Sequence, residues 1–435
     1  MASDRRATVG FAGMTHLGLV SASVCASKGF RTVCFDTDAA LIQALQGGVL
    51  HVEEPDLANL VRSNGDRQMF ASDPEALEAC DVVYISTDVP TDDQGGSDLG
   101  PVRALIDRIV PSLKAGSTLV VLCQVPPGFT RNLRRPQPGP IYYQVETLIF
   151  GRAVERAAMP ERYIVGCDDP GQALSPAFAE ILGAYGCPIL PMRYESAELA
   201  KISINFCLVA SIGVANTLAE LSEKVGADWS EIVPALKLDR RIGQWSYLAP
   251  GLGIAGGNLE RDLRTVLDLA AIHRTDSGIV RAWTANSQHR RAWALERIRA
   301  SVLDKVETPT VAVWGLAYKE NTHSTKNSPS IFTIERMPRA HIVVHDPVVP
   351  VDAVRHPHVT AAGDPLGAVA GADALMILTP WPLYRDVAIP DIVKAMRGKV
   401  VIDPFAVLEG KQVVMAGAEY HTLGKGVSRP GRQGA

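Results

Sequence analysis

The sequence lacks the features that mark several classes of protein. It has no long run of basic residues and a formal net charge of −4, which argues against nucleic acid or an anionic membrane as the main partner. Its seven cysteines form no CxxC pair, as expected of reduced thiols in the cytoplasm. We see no signal-type apolar segment at the N-terminus and no apolar run of membrane-spanning length. We therefore expect a cytoplasmic protein.

The length and the order of elements indicate several domains. With 435 residues, the chain exceeds the size at which one hydrophobic core stops growing. Strand-like runs alternate with helix-like segments near both ends, and the longest helical pattern covers 194–224. We predict an α/β fold of two Rossmann-like doubly wound domains joined by a long central helix and a helical middle domain. The predicted boundaries are 1–192, 193–303 and 304–435.

A glycine-containing turn follows the first predicted strand. The segment GMTHLG runs from Gly13 to Gly18, and Asp36 ends the second strand. This pattern resembles the dinucleotide fingerprint GxGxxG, in which a pyrophosphate lies at a helix N-terminus and the acidic residue binds the ribose hydroxyls. We therefore predict NAD rather than NADP as the cofactor, although Thr15 replaces the middle glycine. The cofactor residues in this turn are Gly13, Thr15, His16, Leu17, Gly18 and Asp36.

A second glycine-rich segment, PGLGIAGGNLERD, covers 250–262. Its density of glycine is typical of a loop whose backbone approaches a ligand closely. At its centre stands Asn258, a poor nucleophile.

Several stretches together resemble the nucleotide-sugar dehydrogenase family, which includes the UDP-glucose and GDP-mannose 6-dehydrogenases. These NAD-dependent enzymes oxidise the C6 alcohol of a nucleotide sugar to a carboxylate. The resemblance covers nearly the whole chain in order, in stretches that include EEPDLANLV (53–61), QVPPGFTRNL (124–133), ESAELAKISINFCLV (195–209) and GLAYKENTHSTKNSP (315–329). It implies NAD, a nucleotide-diphosphate sugar as substrate, and a homodimer formed through the central helix.

The resemblance implies roles for four polar residues. Lys201 and Asn205 match the pair that holds the reacting oxygen, and Glu146 matches the general acid/base. Asp262 matches the aspartate that positions the base or water. Each also has a plainer interpretation: a solvated lysine, a capping or core asparagine, a surface glutamate and a helix N-terminal cap, respectively.

Asn258 falls where the family has its catalytic cysteine. That cysteine traps the intermediate aldehyde as a thiohemiacetal, so that a second hydride can leave and a thioester can be hydrolysed. A carboxamide nitrogen is delocalised and cannot perform this step. Glu260 and Arg261 also replace the family's proline and lysine, so the departures cluster at the chemistry.

Further residues are assigned to binding through the same resemblance. Thr87, Gln124 and Lys326 are expected on the cofactor side, with Gln124 replacing a threonine and Lys326 an arginine. Arg241, Tyr247, Gly251 and Lys319 are expected to bind the substrate, although Arg241 could instead be part of a solvated face and Tyr247 simple packing. We expect no metal site, because we treat the ten histidines as isolated and place His16 in the phosphate turn.

Three functions remain open at this point. The retained residues favour an enzyme limited to one hydride transfer, or one that oxidises the sugar transiently and then dehydrates or epimerises it. A noncatalytic NAD or nucleotide-sugar binding protein is the first alternative. An ordinary four-electron dehydrogenase with another nucleophile is the second.

Overall fold

The computed structural model describes residues 6–92, 95–133 and 139–431. Contacts divide the chain into two compact units, Met1–Ile204 and Asn205–Ala435. The long helix α7, Tyr194–Val225, crosses that division.

The first unit is built on an eight-stranded sheet. Its strands lie in the order β3-β2-β1-β4-β5-β6-β7-β8 and are parallel except for the antiparallel pair β6 and β7. The central strands are buried on both faces, as expected of a parallel sheet covered by helices. The strands are β1 Thr8–Ala12, β2 Arg31–Phe35, β3 Gln68–Ala71, β4 Val82–Ile85, β5 Thr118–Val121, β6 Ile141–Gln144, β7 Tyr163–Cys167 and β8 Ile189–Arg193. The helices are α1 His16–Ser27, α2 Ala39–Gln46, α3 Leu57–Ser63, α4 Gly100–Ile109, α5 Ala153–Ala158 and α6 Pro176–Gly183, with 3-10 turns at Pro74–Leu77 and Val110–Ser112.

The second unit combines helices with a six-stranded parallel sheet. The sheet has the order β11-β10-β9-β12-β13-β14. Its strands are β9 Thr310–Trp314, β10 His341–His345, β11 Val359–Ala361, β12 Ala374–Ile377, β13 Val400–Ile402 and β14 Glu419–His421. The helices are α8 Trp229–Leu238, α9 Asn258–His273, α10 Gly278–Arg291, α11 Trp293–Ile298, α12 Pro329–Ile334, α13 Pro365–Val369, α14 Ile389–Ala395 and α15 Gly410–Met415. A π-helical turn, Arg299–Leu303, follows α11, and 3-10 turns lie at Val351–Ala353 and Pro382–Asp386.

The doubly wound fold class is confirmed by these two sheets. In each sheet, the strand that comes first in the sequence, β1 or β9, lies in the interior. The following strands are added first on one side of it and then on the other. Such a reversal is the topological switch point at which open α/β sheets bind ligands.

One expectation about hydropathy was wrong. Helix α7 is long and apolar enough to cross a membrane by length and composition. Glu198 and Lys201 interrupt its first part, but residues 202–219 carry no charge. Several of its apolar side chains are exposed, including Val214 and Leu221, at 51% and 54%.

Candidate functional site

The first turn of the first sheet requires glycine at both ends. Gly13 has φ +99°, and its amide donates to the carbonyl of Phe35 at 2.8 Å. A Cβ on Gly13 would lie 2.7 Å from that of Thr87, and one on Gly18 would lie 1.8 Å from the carbonyl oxygen of Gly13. Neither position tolerates a side chain, so the turn between β1 and α1 stays tight, as a dinucleotide fingerprint needs.

Thr15 has a structural use in place of the fingerprint's middle glycine. Its hydroxyl accepts from the Asp88 amide at 2.9 Å and donates to the Ser86 carbonyl at 3.4 Å. The side chain thereby fastens the turn to the loop that comes after β4. Next to it, Leu17 is buried in the core of the first unit.

The acidic end of β2 is in place for a ribose. The Asp36 carboxylate accepts from the amides of Met14 at 2.7 Å and Asp38 at 3.0 Å, so it is held at the edge of the turn. The first amides of α1 have no partner within the helix. Together, the glycine turn, a helix N-terminus and a fixed carboxylate fit the pyrophosphate and ribose of NAD.

Glu146 and Lys201 form one polar pair of the first unit. The Lys201 ammonium donates to the Glu146 backbone carbonyl at 2.8 Å and lies 3.5 Å from its carboxylate. The Lys201 side chain is only 12% exposed and the Glu146 side chain 19%. Lys201 is therefore not a solvated lysine and Glu146 is not a surface glutamate; the two form a half-buried charge pair.

Sequence reasoning missed Glu198, which lies one turn before Lys201 on α7. Its fully buried carboxylate accepts from the amides of Gly128 at 2.6 Å and Thr130 at 2.8 Å. Burial raises its pKa. Glu198 therefore fixes the loop that follows the half-buried Gln124. The signal available in the sequence was a carboxylate within the apolar pattern of α7.

Asn205 and Asp262 form a second polar pair, in the second unit. The Asn205 amide donates to the Asp262 carboxylate at 2.5 Å, and Asp262 is 1% exposed. The helix cap considered for Asp262 is wrong, because α9 begins at Asn258 with Gly257 as its N-cap. Asn205 lies one turn after Lys201 on α7, so the two side chains project from the same face of that helix.

The glycine-rich segment is held by backbone bonds on both sides. The Gly251 amide donates to the Asn216 side chain at 2.8 Å, and the Gly256 amide donates to the Lys326 carbonyl at 3.0 Å. Asn258, as the first residue of α9, is exposed. The segment is therefore a fixed loop that presents a carboxamide.

Glu260 is a second residue that sequence reasoning did not assign to a structural role. Its carboxylate accepts from Arg291 at 3.2 Å and from the Asn327 side-chain amide. Burial raises its pKa, although Arg291 and Lys326 oppose the shift. This replacement for the family's proline joins α9 to α10 and to the segment before α12.

The cysteines do not supply a substitute nucleophile at this loop. Cys207 is the single cysteine of the second unit. It is exposed and lies two residues after Asn205, which places it on the opposite face of α7. In the first unit, burial raises the pKa of Cys34 and Cys80 to about 12, which disfavours a thiolate.

The predicted substrate residues have different surroundings. Arg241 is 89% exposed and paired with Asp239 at 2.7 Å, and Tyr247 is 52% exposed, so core packing is excluded for the tyrosine. The Lys319 ammonium lies 5.8 Å from the ring centre of Tyr318. The half-buried Lys326 side chain runs beside Gly257.

Two histidine spacings typical of metal ligands were overlooked in the sequence. His341 and His345 are four residues apart, and His356 and His358 are two apart. His356 uses both ring nitrogens: Nε2 donates to the Met337 carbonyl and Nδ1 accepts from the His358 amide. Within the described ranges, no group of three or more histidine, cysteine or acidic side chains could hold a metal.

Comparison with known families gives matches along most of the chain. The NAD binding domain of the UDP-glucose/GDP-mannose dehydrogenase family matches residues 7–181, the central domain 195–288, and the UDP binding domain 312–410.

Individual relatives cover nearly the full length. The chain is 28% identical to the UDP-glucose 6-dehydrogenase TuaD of Bacillus subtilis, over 95% of this chain and 92% of that protein. It is also 28% identical to a UDP-glucose 6-dehydrogenase of Rhizobium meliloti, over 95% and 98%.

Solved structures agree with these relatives. A UDP-glucose dehydrogenase from Pyrobaculum islandicum matches with a TM-score of 0.84 and 26% identity, over 95% of this chain and 97% of that one. The glycine turn and Asp36 fit the cofactor that the matched N-terminal domain binds. The chain therefore belongs to the UDP-glucose/GDP-mannose dehydrogenase family, whose members are NAD-dependent nucleotide-sugar dehydrogenases.

Proposed function

We propose that this protein is an NAD-dependent enzyme that acts on a carbinol carbon of a nucleotide-diphosphate sugar and cannot complete a four-electron oxidation. The carbon is C6, or a secondary carbinol where the sugar chain is longer. One observation carries the proposal: the Glu146–Lys201 and Asn205–Asp262 pairs are formed, whereas the loop presents Asn258 at the start of α9.

The retained residues can support the first oxidation. NAD held at the turn of Gly13 and Asp36 would supply the acceptor for a hydride from the carbinol carbon and the donor for its return. We propose that Lys201 and Asn205 stabilise the developing negative charge on the substrate oxygen, because a cation and an amide donor favour an alkoxide. Glu146 takes the hydroxyl proton as general base. The product of this step is a carbonyl.

The second oxidation has no covalent route through Asn258. On the covalent route the aldehyde must first be held as an adduct of a protein nucleophile before another hydride can leave, and an amide nitrogen does not form one. Cys207 lies on the opposite face of α7 from Asn205. The reaction therefore stops at the carbonyl, or the carbonyl is used and the hydride is returned.

A redox-neutral reaction follows where the carbonyl is a ketone. The ketone acidifies the neighbouring C–H, so Glu146 can remove that proton while a β-hydroxyl leaves and takes up a proton as water. Return of the hydride to the β-carbon, with a proton to the α-carbon, gives net loss of water and no net redox change. Return of the hydride to the opposite face of the carbonyl would give an epimer.

We also propose that the enzyme is a cytoplasmic homodimer. Exposed apolar side chains follow one stripe of α7, from Val214 through Leu218 and Leu221 to Val225, at 41–65% exposure. A second copy would cover this stripe, which spaces its residues as one helix face. Light scattering of the purified protein tests this, and a Leu218→Asp variant should be monomeric if the stripe is the interface.

The function is tested with pure protein, NAD and a panel of nucleotide sugars, following NADH absorbance and product mass together. A product two hydrogens lighter with one NADH per sugar would indicate a dehydrogenase that stops at the carbonyl. A product lighter by one water without NADH accumulation would indicate the dehydratase. A sugar carboxylate with two NADH per turnover would contradict the proposal, and ligand binding without mass change or isomerisation would favour the noncatalytic alternative.

A further inference from the structure

The buried carboxylate of Glu54 lies between two segments that the proposed reaction uses. On one side is the cofactor turn, where His16 is the first residue of α1. On the other is the loop of residues 145–152, which carries Glu146 and leads into α5. Both segments belong to the first unit.

Glu54 contacts both segments with one side chain. Its Oε1 accepts from the His16 Nε2–H at 2.8 Å and from the Gly151 amide at 2.8 Å. Its Oε2 accepts from the Ala153 amide at 3.2 Å. The Glu54 side chain is 0% exposed and that of His16 is 13% exposed, so water does not compete freely for these bonds.

These bonds have a clear physical role in the loop. Ala153 begins α5, and the residue before it, Arg152, makes no side-chain cap. Glu54 thus supplies the missing cap from almost one hundred residues away. A carboxylate that accepts from helix N-terminal amides is favoured by their orphan N–H groups and by the helix dipole.

The contact with His16 is reinforced by ring packing. The rings of His16 and Phe150 are 4.2 Å apart and tilted by 36°, and Phe150 precedes Gly151 in the loop. The His16 backbone lies in the first turn of α1, where the NAD pyrophosphate is expected. His16 therefore connects this turn directly to the loop.

We propose that Glu54 is a positioning residue, and that with His16 it makes NAD binding at the α1 turn stabilise the loop that carries Glu146. The coupling is reciprocal: an ordered loop favours NAD, and NAD favours an ordered loop. The inference rests on the proposed role of Glu146 only for its catalytic meaning, since the coupling itself requires no turnover.

Hydrogen exchange of the full-length protein, measured by mass spectrometry with and without NAD, tests this coupling. In the wild type, NAD should slow exchange in peptides that cover residues 148–156. His16→Phe keeps a ring against Phe150 but removes the N–H donor, so NAD should no longer protect those peptides. His16→Gln restores a donor and should recover part of the protection.

The matched carboxylate variants are Glu54→Gln and Glu53→Gln. Glu53 is the exposed neighbour, and its variant should behave as the wild type. Glu54→Gln should speed exchange at residues 151–153 without NAD, and it should weaken NAD binding by about tenfold, as measured by calorimetry. His16→Phe should have a similar effect, and the double variant should be no weaker than either single variant.

Two results would overturn the inference. One is that His16→Phe retains the full NAD-dependent protection of residues 148–156. The other is that the two substitutions multiply in their effect on NAD affinity, as independent sites do. If Glu54→Gln does not fold, His16→Phe and His16→Gln still decide the question. Neither readout depends on which product the enzyme forms, so failure here is distinct from failure of the proposed function.

Discussion

The two sheets open with the same turn and use it differently. After β1, Gly13 has φ +99° and abuts Thr87; after β9, Gly315 has φ +94° and abuts Thr379. Both glycine amides donate at 2.8 Å to the last residue of the neighbouring strand. The resemblance between the units thus extends to the level of single hydrogen bonds.

The difference lies in the segment after each glycine. In the first unit, α1 begins three residues later and lasts twelve residues. In the second, the chain continues without a helix to Pro329, where the six-residue α12 begins. The first turn presents a helix N-terminus to a phosphate, whereas the second has only a displaced short helix.

The aspartates that follow β2 and β10, Asp36 and Asp346, also differ in the number of hydrogen bonds that they accept. Asp36 accepts two amide bonds. Asp346 accepts from four amides, those of Leu316, Ala317, Val348 and Val349, and from the Trp381 indole. A carboxylate so fully occupied serves the fold rather than a ribose. One topology therefore carries a turn that fits a dinucleotide in the first unit, and in the second a turn whose carboxylate is occupied by donors of the fold.

The largest effects should come from Gly13→Ala and Gly315→Ala. In both, a Cβ meets a threonine within 3 Å at positive φ, so each variant should lose about 2–4 kcal/mol of stability. Only Gly13→Ala should weaken NAD binding, on the order of 100-fold. Thermal unfolding and calorimetry measure the two effects.

Gly183→Ala is the control for this pair, because nothing lies within 4 Å of the added Cβ. It should leave NAD affinity close to that of the wild type and should not lower stability. Equal loss of NAD affinity in Gly13→Ala and Gly315→Ala would contradict the division of roles between the turns.

The next effects should come from Asp36→Asn and Asp346→Asn. Asp36→Asn should weaken NAD about tenfold and narrow the preference over NADP, since the repulsion of a 2′-phosphate is lost. Asp346→Asn should leave NAD affinity unchanged and cost about 1–3 kcal/mol of stability, because amide donors would lose their acceptor. A fall in NAD affinity with Asp346→Asn would show that the second turn also serves the cofactor.

The sequence predicted most of the buried strands, but not β6. The continuous apolar runs of β1, β4, β9 and β12 were recognised because strands buried on both faces carry few polar residues. Strands β3, β6, β8, β11 and β14 were not predicted. Most of β8 is exposed, and β11 and β14 are short and partly exposed or at a sheet edge, whereas β6 is buried and was still missed.

For the site, the quality of prediction depended on the kind of contact. Lys201 and Asn205 share a helix face, so their spacing could be read directly. Glu54 and Glu260 stand in charged stretches, VEEPD and NLERD, that resemble solvated surface. Their burial depends on partners far away in sequence, such as Gly151 and Arg291.

A smaller contrast between the two units lies in the residue that follows β5 in the first sheet and β13 in the second, the strands two places from β1 and β9. β5 is followed by the buried Leu122, and β13 by Asp403, which is 0% exposed. Burial raises the pKa of Asp403 to about 6, against bonds from the Leu408 amide and Tyr420. A native pKa above the unfolded value stabilises the fold below about pH 4, and this contribution is lost as the pH rises through 6.

Asp403→Asn should therefore change the pH profile of stability. The asparagine does not titrate, so between pH 4 and 7 the variant should gain about 1–2 kcal/mol relative to the wild type. Thermal unfolding at several pH values measures this. A stability difference that is constant across that range would show that Asp403 does not titrate there.

The smallest effect should come from Ala406→Gly, beside Asp403. Ala406 has φ +49°, a conformation that costs alanine more than glycine. The variant should be more stable by up to about 1 kcal/mol. Ala416→Gly, at φ −74°, is the matched control and should be destabilised. A lower melting temperature for Ala406→Gly would contradict the assignment of strain.

The most direct test of the central claim counts hydrides with Asn258→Cys beside Asn258→Ser, using a nucleotide sugar that the wild type converts and that carries a primary C6 alcohol. If the scaffold is intact and only the nucleophile is missing, the cysteine variant should gain carboxylate and two NADH per sugar, whereas the wild type and the serine variant should give at most one. Two NADH per sugar from the wild type would contradict the account, because Asn258 would then not limit the reaction.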